Sequence, residues 1–309
     1  MSRIAQASVV VVGSVNQDIV LTVPAMPKAG ETQLATSSLT GGGGKGANQA
    51  VAASRAGART QFIGSFGADT ASADLRTLLE MESIEVRAHH SSKPSGRAVV
   101  LVDSAGDNSI IVDQGANSDL PADFIGKQLK DLRAHDVLVV QCELAQEAIE
   151  KALAVGKERM ATVILNLAPY RHLNEMVLRC ASIIVVNEAE AAALAERQLP
   201  LIDAGEVAAS LSNSHGCTFV ITLGGKGCVV AQGEEVNVVP AIQVERVVDT
   251  TGAGDAFVGA LAAGLSKGAG LAPSIKAATA AAAYTVTSFG AQSFPIAGEL
   301  SELAPGPLN

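Results

Sequence analysis

The run Ile183-Ile184-Val185-Val186-Asn187-Glu188-Ala189-Glu190-Ala191-Ala192-Ala193-Leu194-Ala195-Glu196 passes from four branched apolar residues straight into an Ala-rich helical pattern. Four apolar residues without polar alternation fit a strand buried on both faces, and such strands belong to parallel sheets covered by helices. The same unit recurs to either side. Strand candidates at 9–12, 61–63, 137–140, 163–166 and 219–222 alternate with helix candidates at 47–56, 71–81, 146–155 and 204–212. This alternation predicts an α/β fold, a doubly wound, mostly parallel sheet flanked by helices.

Two stretches break the rhythm. Residues 19–39 are strand-like but carry no helix and are punctuated by Pro24, Pro27 and Gly30; in 96–112 two strand-like runs flank Ser104-Ala105-Gly106-Asp107-Asn108, a good hairpin turn. Together they predict a small antiparallel flap attached to the main sheet. No internal repeat or low-complexity linker divides the chain, so 1–309 reads as one domain with a frayed tail at 304–309.

Composition narrows the function. An apolar share of 48% against 17% charged excludes disorder. A net charge of −9 argues against nucleic acid or an anionic membrane as partner, though not against a small anion, which needs only local positive potential. Cys142, Cys180, Cys217 and Cys228 are too scattered for a metal or redox pair and read as small buried hydrophobes in a reducing compartment. His89, His90, His135, His172 and His215 show no metal spacing, and the His89-His90 pair lies in a polar, surface-like stretch. No apolar run approaches the roughly 18 residues of a spanning helix, and no signal-like start is present, so a soluble, cytoplasmic protein is expected.

The strongest chemical signal is Asp249-Thr250-Thr251-Gly252-Ala253-Gly254-Asp255-Ala256-Phe257, which follows the strand-like 244–248 and opens an apolar helical pattern. Its glycines let backbone N–H groups of 252–255 converge at a helix N-terminus that favours an anion. Asp255, in the first helical turn, is placed to take the proton of a hydroxyl attacking a phosphoryl group; complementing the helix dipole is the plainer alternative. A second cluster, Gly41-Gly42-Gly43-Gly44-Lys45-Gly46-Ala47-Asn48-Gln49-Ala50, matches the dinucleotide fingerprint only by letter. The preceding Ala35-Thr36-Ser37-Ser38 is a poor buried strand, and Lys45 is followed by Gly46 rather than the Ser or Thr of a P-loop. What remains is a turn bringing backbone, Lys45 and Asn48 to a polar ligand, or else a hinge with a solvated lysine.

Other candidates lie just past strands. Asn16 and Asp18 face one side of an extended segment and suit sugar hydroxyls, unless they form a plain Asx turn. Asn187 and Glu190, three apart at a helix start, could hold hydrated Mg2+ near phosphates or simply form a capping box. Thr222, Gly224, Gly225 and Gly227 could line a nucleotide phosphate path, with a type II turn as the alternative.

The two glycine motifs, at this separation, make the chain resemble the ribokinase family of carbohydrate kinases over about 9–294. The resemblance implies transfer of the ATP γ-phosphoryl to the 5-hydroxyl of D-ribose, with a related substrate (deoxyribose, another pentose or a nucleoside) as alternative and a non-catalytic sugar-binding regulator as a distant one. It makes Asp255 the base, with Gly252, Ala253 and Gly254 as anion hole. It gives Asn16, Asp18, Gly44, Lys45, Asn48 and Glu143 to the sugar, joined by Asp255. It gives Asn187, Thr222, Gly224, Gly225, Gly227 and Gly254 to ATP, with adenine near 277–283. Mg2+ is associated indirectly with Asn187 and Glu190, and a monovalent cation, K+, with Asp249, Thr251, Thr285, Ser288, Gly290 and Ser293. The serine after Gly290-Ala291-Gln292 is shifted by one residue from the family pattern. Segments 15–40 and 96–115 correspond to a β lid that closes over the sugar and pairs two subunits, and Asn16-x-Asp18 with Gln141-x-Glu143 fits ribose-specific members.

Overall fold

The computed structural model describes residues 7–104, 108–198 and 203–303. The expected frayed tail and the middle of the Ser104–Asn108 turn lie outside these residues. Strands are β1 (Ser8–Val12), β2 (Asn16–Thr22), β3 (Ser37–Gly43), β4 (Arg59–Phe66), β5 (Glu85–His90), β6 (Gly96–Val102), β7 (Asn108–Asp113), β8 (Val137–Gln141), β9 (Thr162–Asn166), β10 (Ile183–Asn187), β11 (Thr218–Thr222), β12 (Cys228–Gln232) and β13 (Glu235–Val239). Helices are α1 (Lys45–Arg55), α2 (Thr70–Met81), α3 (Ala122–Gln128), α4 (Gln146–Glu158), α5 (Glu175–Leu178), α6 (Glu188–Leu194), α7 (Ala204–His215), α8 (Ala253–Ser266), α9 (Leu271–Thr285) and α10 (Ala297–Leu303).

A nine-stranded sheet runs β13-β12-β11-β10-β9-β8-β1-β4-β5, parallel except where β12 and β13 turn back. The two-residue period of a strand divides its apolar residues between two cores. Val9, Val11, Val137, Val139, Ile183 and Val185 pack against α1, α2, α8 and α9 on one face; Val10, Val12, Leu138, Val140, Ile184 and Val186 pack against α3, α4, α6 and α7 on the other. Helix α8 is apolar on all sides because it is enclosed, lying between α1 and α9.

The rhythm-breaking segments form a second sheet, β3-β2-β6-β7, in which two antiparallel pairs are joined by a parallel β2–β6 pair. Thus 35–38 leads into a strand after all, but one of the exposed small sheet rather than of a buried core. His89-His90 ends the edge strand β5: His90 is exposed, as expected, while His89 is half-buried, 3.1 Å from Ser65 Oγ and edge-on to Phe124. One other expectation is corrected. Residues 244–248 form no strand: β13 ends at Val239, no neighbour is in register, and Val247 and Val248 are exposed. All four cysteines are free thiols. Among the described residues no helix is long and apolar enough to cross a membrane.

Candidate active site

Parallel strands gather their carboxyl ends on one edge, where open α/β sheets bind ligands. Here β1 ends at Val12 before Gly13-Ser14, β8 at Gln141 before Cys142-Glu143, β9 at Asn166, β10 at Asn187 and β11 at Thr222. The chain leaves β1 directly into β2, so the small sheet begins inside the site with Asn16. Helix α1 begins at the same edge because Ala47 N–H donates to Ser14 O at 2.8 Å and Gly46 N–H to Ser14 Oγ at 3.2 Å. Its cap, Gly44, has φ +89°, and a Cβ there would stand 2.9 Å from Asn16 N. The close passage of two backbones explains part of the glycine run. A Cβ on Gly43 would overlap the Asp18 carboxylate.

The sugar-side candidates converge. Ser14 Oγ donates to Glu143 Oε2 at 2.5 Å, and Lys45 N–H donates to the same oxygen at 3.1 Å. Asn16 Oδ1 accepts from Asn117 Nδ2 at 2.7 Å. Asp18 Oδ1 is buried with no hydrogen-bond partner among the described residues. Burial, then the negative charges of Glu143 and Asp255, push the Asp18 carboxyl up to about 7. The Lys45 ammonium lies in the field of Asp255, Glu143 and Glu190, which hold its pKa above the ordinary lysine value against the opposing effect of burial.

Asp255 heads the opposite wall. Gly252 caps α8 in the left-handed region at φ +82°, and a Cβ there would overlap the Ala291 carbonyl oxygen. The N–H groups of Gly252, Gly254 and Asp255 find no acceptor among the described residues, and a Cβ on Gly254 would meet nothing within 4 Å. The helix head is therefore open, with its dipole pointing at the opening. The Asp255 carboxylate is buried and accepts from Asn48 Nδ2 at 3.1 Å and from Gln49 Nε2 at 2.9 Å.

The nucleotide-side candidates lie one strand further. Asn187 and Thr222 are register partners at the ends of β10 and β11. Asn187 and Glu190 form a reciprocal capping box: Glu190 N–H donates to Asn187 Oδ1 and Asn187 N–H to Glu190 Oε2, each at 2.8 Å. Glu190 still faces the centre, since burial and then Asp255 raise its carboxyl while Asn187 N–H and Lys45 oppose the shift. The segment 224–226 is a short 3-10 turn rather than a type II turn, with nothing within 4 Å of a Cβ at Gly224 or Gly225. Gly290 N–H donates to Asp249 Oδ2 at 3.0 Å and Thr251 N–H to Asp249 Oδ1 at 2.9 Å, which joins 249–251 to the loop after α9. The Thr285 hydroxyl is buried and bonded to Ala281 O, and Ser293 Oγ donates to Phe289 O at 2.7 Å.

The sequence assigned no role to Asn117, Asn166, Gln49 or Gln292, and read Gln141 only as part of the Gln141-x-Glu143 pattern. Each is an amide side chain committed to this centre. Gln49 within an alanine-rich helix and Gln141 at the end of an all-apolar strand are the two whose surroundings marked them.

A carboxylate held by two amides beside an open helix N-terminus is the equipment of a phosphotransferase acting on a hydroxyl. The family model for pfkB family carbohydrate kinases matches residues 6–297, and the chain belongs to that family. It is 34% identical over 299 residues to a ribokinase of Bacillus subtilis, covering 96% of this chain and 99% of that protein. It is also 34% identical over 292 residues to a deoxyribokinase of Salmonella typhi, covering 92% and 94%. Among solved structures, a ribokinase from Thermotoga maritima superposes with a TM-score of 0.88 at 34% identity, covering 96% of this chain and 99% of that one. An Arabidopsis thaliana ribokinase complexed with ribose and ATP superposes with a TM-score of 0.84 at 29% identity, covering 97% and 99%. The protein is a phosphotransferase of sugar hydroxyls built on the expected fold.

Proposed function

We propose that the chain transfers the γ-phosphoryl of ATP to the 5-hydroxyl of D-ribose, giving ribose 5-phosphate and ADP. The observation that carries the reading is the buried Asp255 carboxylate at the open head of α8, close enough to Asp18 and Lys45 to act on their charge. Asn16, Asp18, Lys45, Asn48 and Glu143, with the Gly44 backbone, grip the sugar. Donor and acceptor groups alternate among them, as vicinal hydroxyls require. Asp255 takes the proton of the attacking hydroxyl. The free N–H groups of Gly252, Gly254 and Asp255 face the charge that grows on the transferring phosphoryl group, whereas the expected third donor, Ala253 N–H, is turned to Thr250 O at 3.3 Å; positioning and electrostatics supply most of the acceleration.

ATP runs along Asn187, Thr222, Gly224, Gly225 and Gly227 toward Gly254, with adenine near α9. Mg2+ neutralises phosphate charge, and Glu190 suits it: one carboxylate oxygen closes the capping box while the group faces the centre. Asn187 and Glu190 would hold it through water, since direct ligation breaks the cap. For K+, the Asp249–Gly290 contact supports a site between 249–251 and 285–293, using backbone oxygens of Thr251, Thr285, Ser288 and Gly290. The Ser293 hydroxyl, turned to Phe289 O, contributes least. The small sheet acts as a lid. Its exposed apolar residues Leu39, Ile110, Ile111 and Val112 support pairing of two lids in a homodimer. Four free thiols support a reducing, cytoplasmic setting; Cys142 and Cys228 are buried as expected, whereas Cys180 and Cys217 are half-buried, and burial pushes Cys142 up to about 12 and Cys217 and Cys228 up to about 11.

The test is ADP release from ATP and Mg2+ with ribose, deoxyribose, fructose and adenosine, with and without K+. Ribose as the best substrate is expected. Preference for 2-deoxyribose, which the Salmonella relative favours as second reading, moves the specificity; silence on every sugar removes the reading.

A further inference from the structure

The two amides that hold Asp255 are themselves oriented from behind. Gln49 is fully buried in α1; its Nε2 donates to Asp255 Oδ1 and to Asn166 Oδ1, each at 2.9 Å, while its Oε1 accepts from Gln141 Nε2 at 2.7 Å. A glutamine amide has one accepting and one donating end, so acceptance from Gln141 leaves only the donating end for the carboxylate. On the other oxygen, Gln292 Nε2 donates to Asn48 Oδ1 at 2.9 Å, and Asn48 Nδ2 donates to Asp255 Oδ2. Asn166 is fixed in turn, its Nδ2 donating to Val185 O at 3.1 Å. Helices α1 and α8 cross close enough to make these bonds because α8 carries Gly259 at the crossing: a Cβ there would stand 2.7 Å from Gln49 O.

Gln141 is the informative member. It is fully buried, its amide nitrogen is committed to Gln49, and its Oε1 has no partner among the described residues. A buried carbonyl left unpaired is costly, so the residue is poorly explained as a stabilising one. Its one side-chain hydrogen bond orients Gln49.

We infer that Gln49, locked by Gln141, is a positioning residue for the base. It fixes the plane of the Asp255 carboxylate so that a free lone pair faces the sugar hydroxyl, and it touches neither substrate. The inference rests on the reading of Asp255 as the base. Because Gln49 and Gln141 have no exposed surface, their loss acts on turnover rather than on substrate affinity.

The experiment compares steady-state kinetics of Q49L, Q49E, Q141M and D255N in the full chain, with ribose affinity by calorimetry as the check of folding. Q49L is expected to lose kcat by about 10- to 100-fold, the scale of a misplaced catalytic group, with KM for ribose and ATP within about threefold of wild type. Q141M is expected to show the same pattern more weakly. Q49E adds a signature that a structural role would not produce. Protonated, its carboxyl donates to Asp255; ionised, it repels Asp255, so kcat acquires a fall with rising pH that wild type lacks. On the D255N background Q49L is expected to cost nothing further. Wild-type kcat and pH profile in ribose-binding Q49E and Q141M, while D255N is inactive, would overturn the positioning role and leave the base role standing. Turnover retained in D255N overturns both. If Q49L does not fold, Q49E and Q141M decide the matter by the same criteria.

Discussion

With Asp18 in the proposed sugar site, ribose binding should depend on pH, and its sign follows from the burial of that carboxyl. Its Oδ1 has no hydrogen-bond partner among the described residues, and Glu143 and Asp255 add to the burial that raises its carboxyl from 3.8 to about 7. A displacement of that size corresponds to about 4 kcal/mol against the ionised form in the free enzyme. Sugar hydroxyls donating to Asp18 favour ionisation, and one such bond to a charged group contributes about 1.5–3 kcal/mol. Binding therefore lowers the pKa and expels a proton. Ribose affinity should tighten by about tenfold or more from pH 5 to pH 8, the linked change for a pKa lowered by one to two units. Calorimetry near pH 6 in buffers of different ionisation enthalpy should register the proton, and D18N should abolish both effects. The folded pKa lies above the unfolded one, so the stabilising contribution is complete below about pH 4 and lost as pH rises through about 7. The free wild-type protein should consequently lose stability relative to D18N across that window. Ribose affinity flat from pH 5 to 8, with no proton exchanged, would refute the account.

Three further outcomes follow from the site. K45A should raise the ribose KM by about tenfold with a smaller effect on kcat in the ADP-release assay, as expected when a ground-state contact to the sugar is removed. G252A forces a side chain into the left-handed region against the Ala291 carbonyl; thermal melting should show a loss of about 1–3 kcal/mol, with reduced kcat because the helix head shifts. N187A breaks the capping box at α6, a loss of about 0.5–2 kcal/mol on melting, and frees Glu190, so the KM for Mg-ATP should rise in the same variant.

The main sheet was legible because a short unbroken apolar run is a local property: Val137-Leu138-Val139-Val140 announces a strand buried on both faces without reference to the rest of the chain. The small sheet was legible as a break in rhythm, but its parallel β2–β6 pair was not, since register between Asn16–Thr22 and Gly96–Val102 depends on how the chain returns. β5 was hidden because an edge strand carrying Arg87 and His89 lacks an apolar run. The error at 244–248 is the converse: valines supply strand propensity, but a strand needs a neighbour. Asp255, Lys45 and Asp18 were singled out in the sequence as candidates. The roles of Gln49 and Gln292 were not, because Gln49 and Asp255 lie 206 residues apart and Gln292 and Asn48 lie 244 apart, distances at which only the fold brings donors to acceptors.

The most direct test of the account is the turnover of D255N with ribose and ATP, measured beside its ribose affinity. A carboxylate acting as base predicts a fall in kcat of at least about 10²-fold, with ribose still bound within a few-fold of wild type. Turnover close to wild type would contradict the role given to Asp255, and with it the mechanism built on the open head of α8.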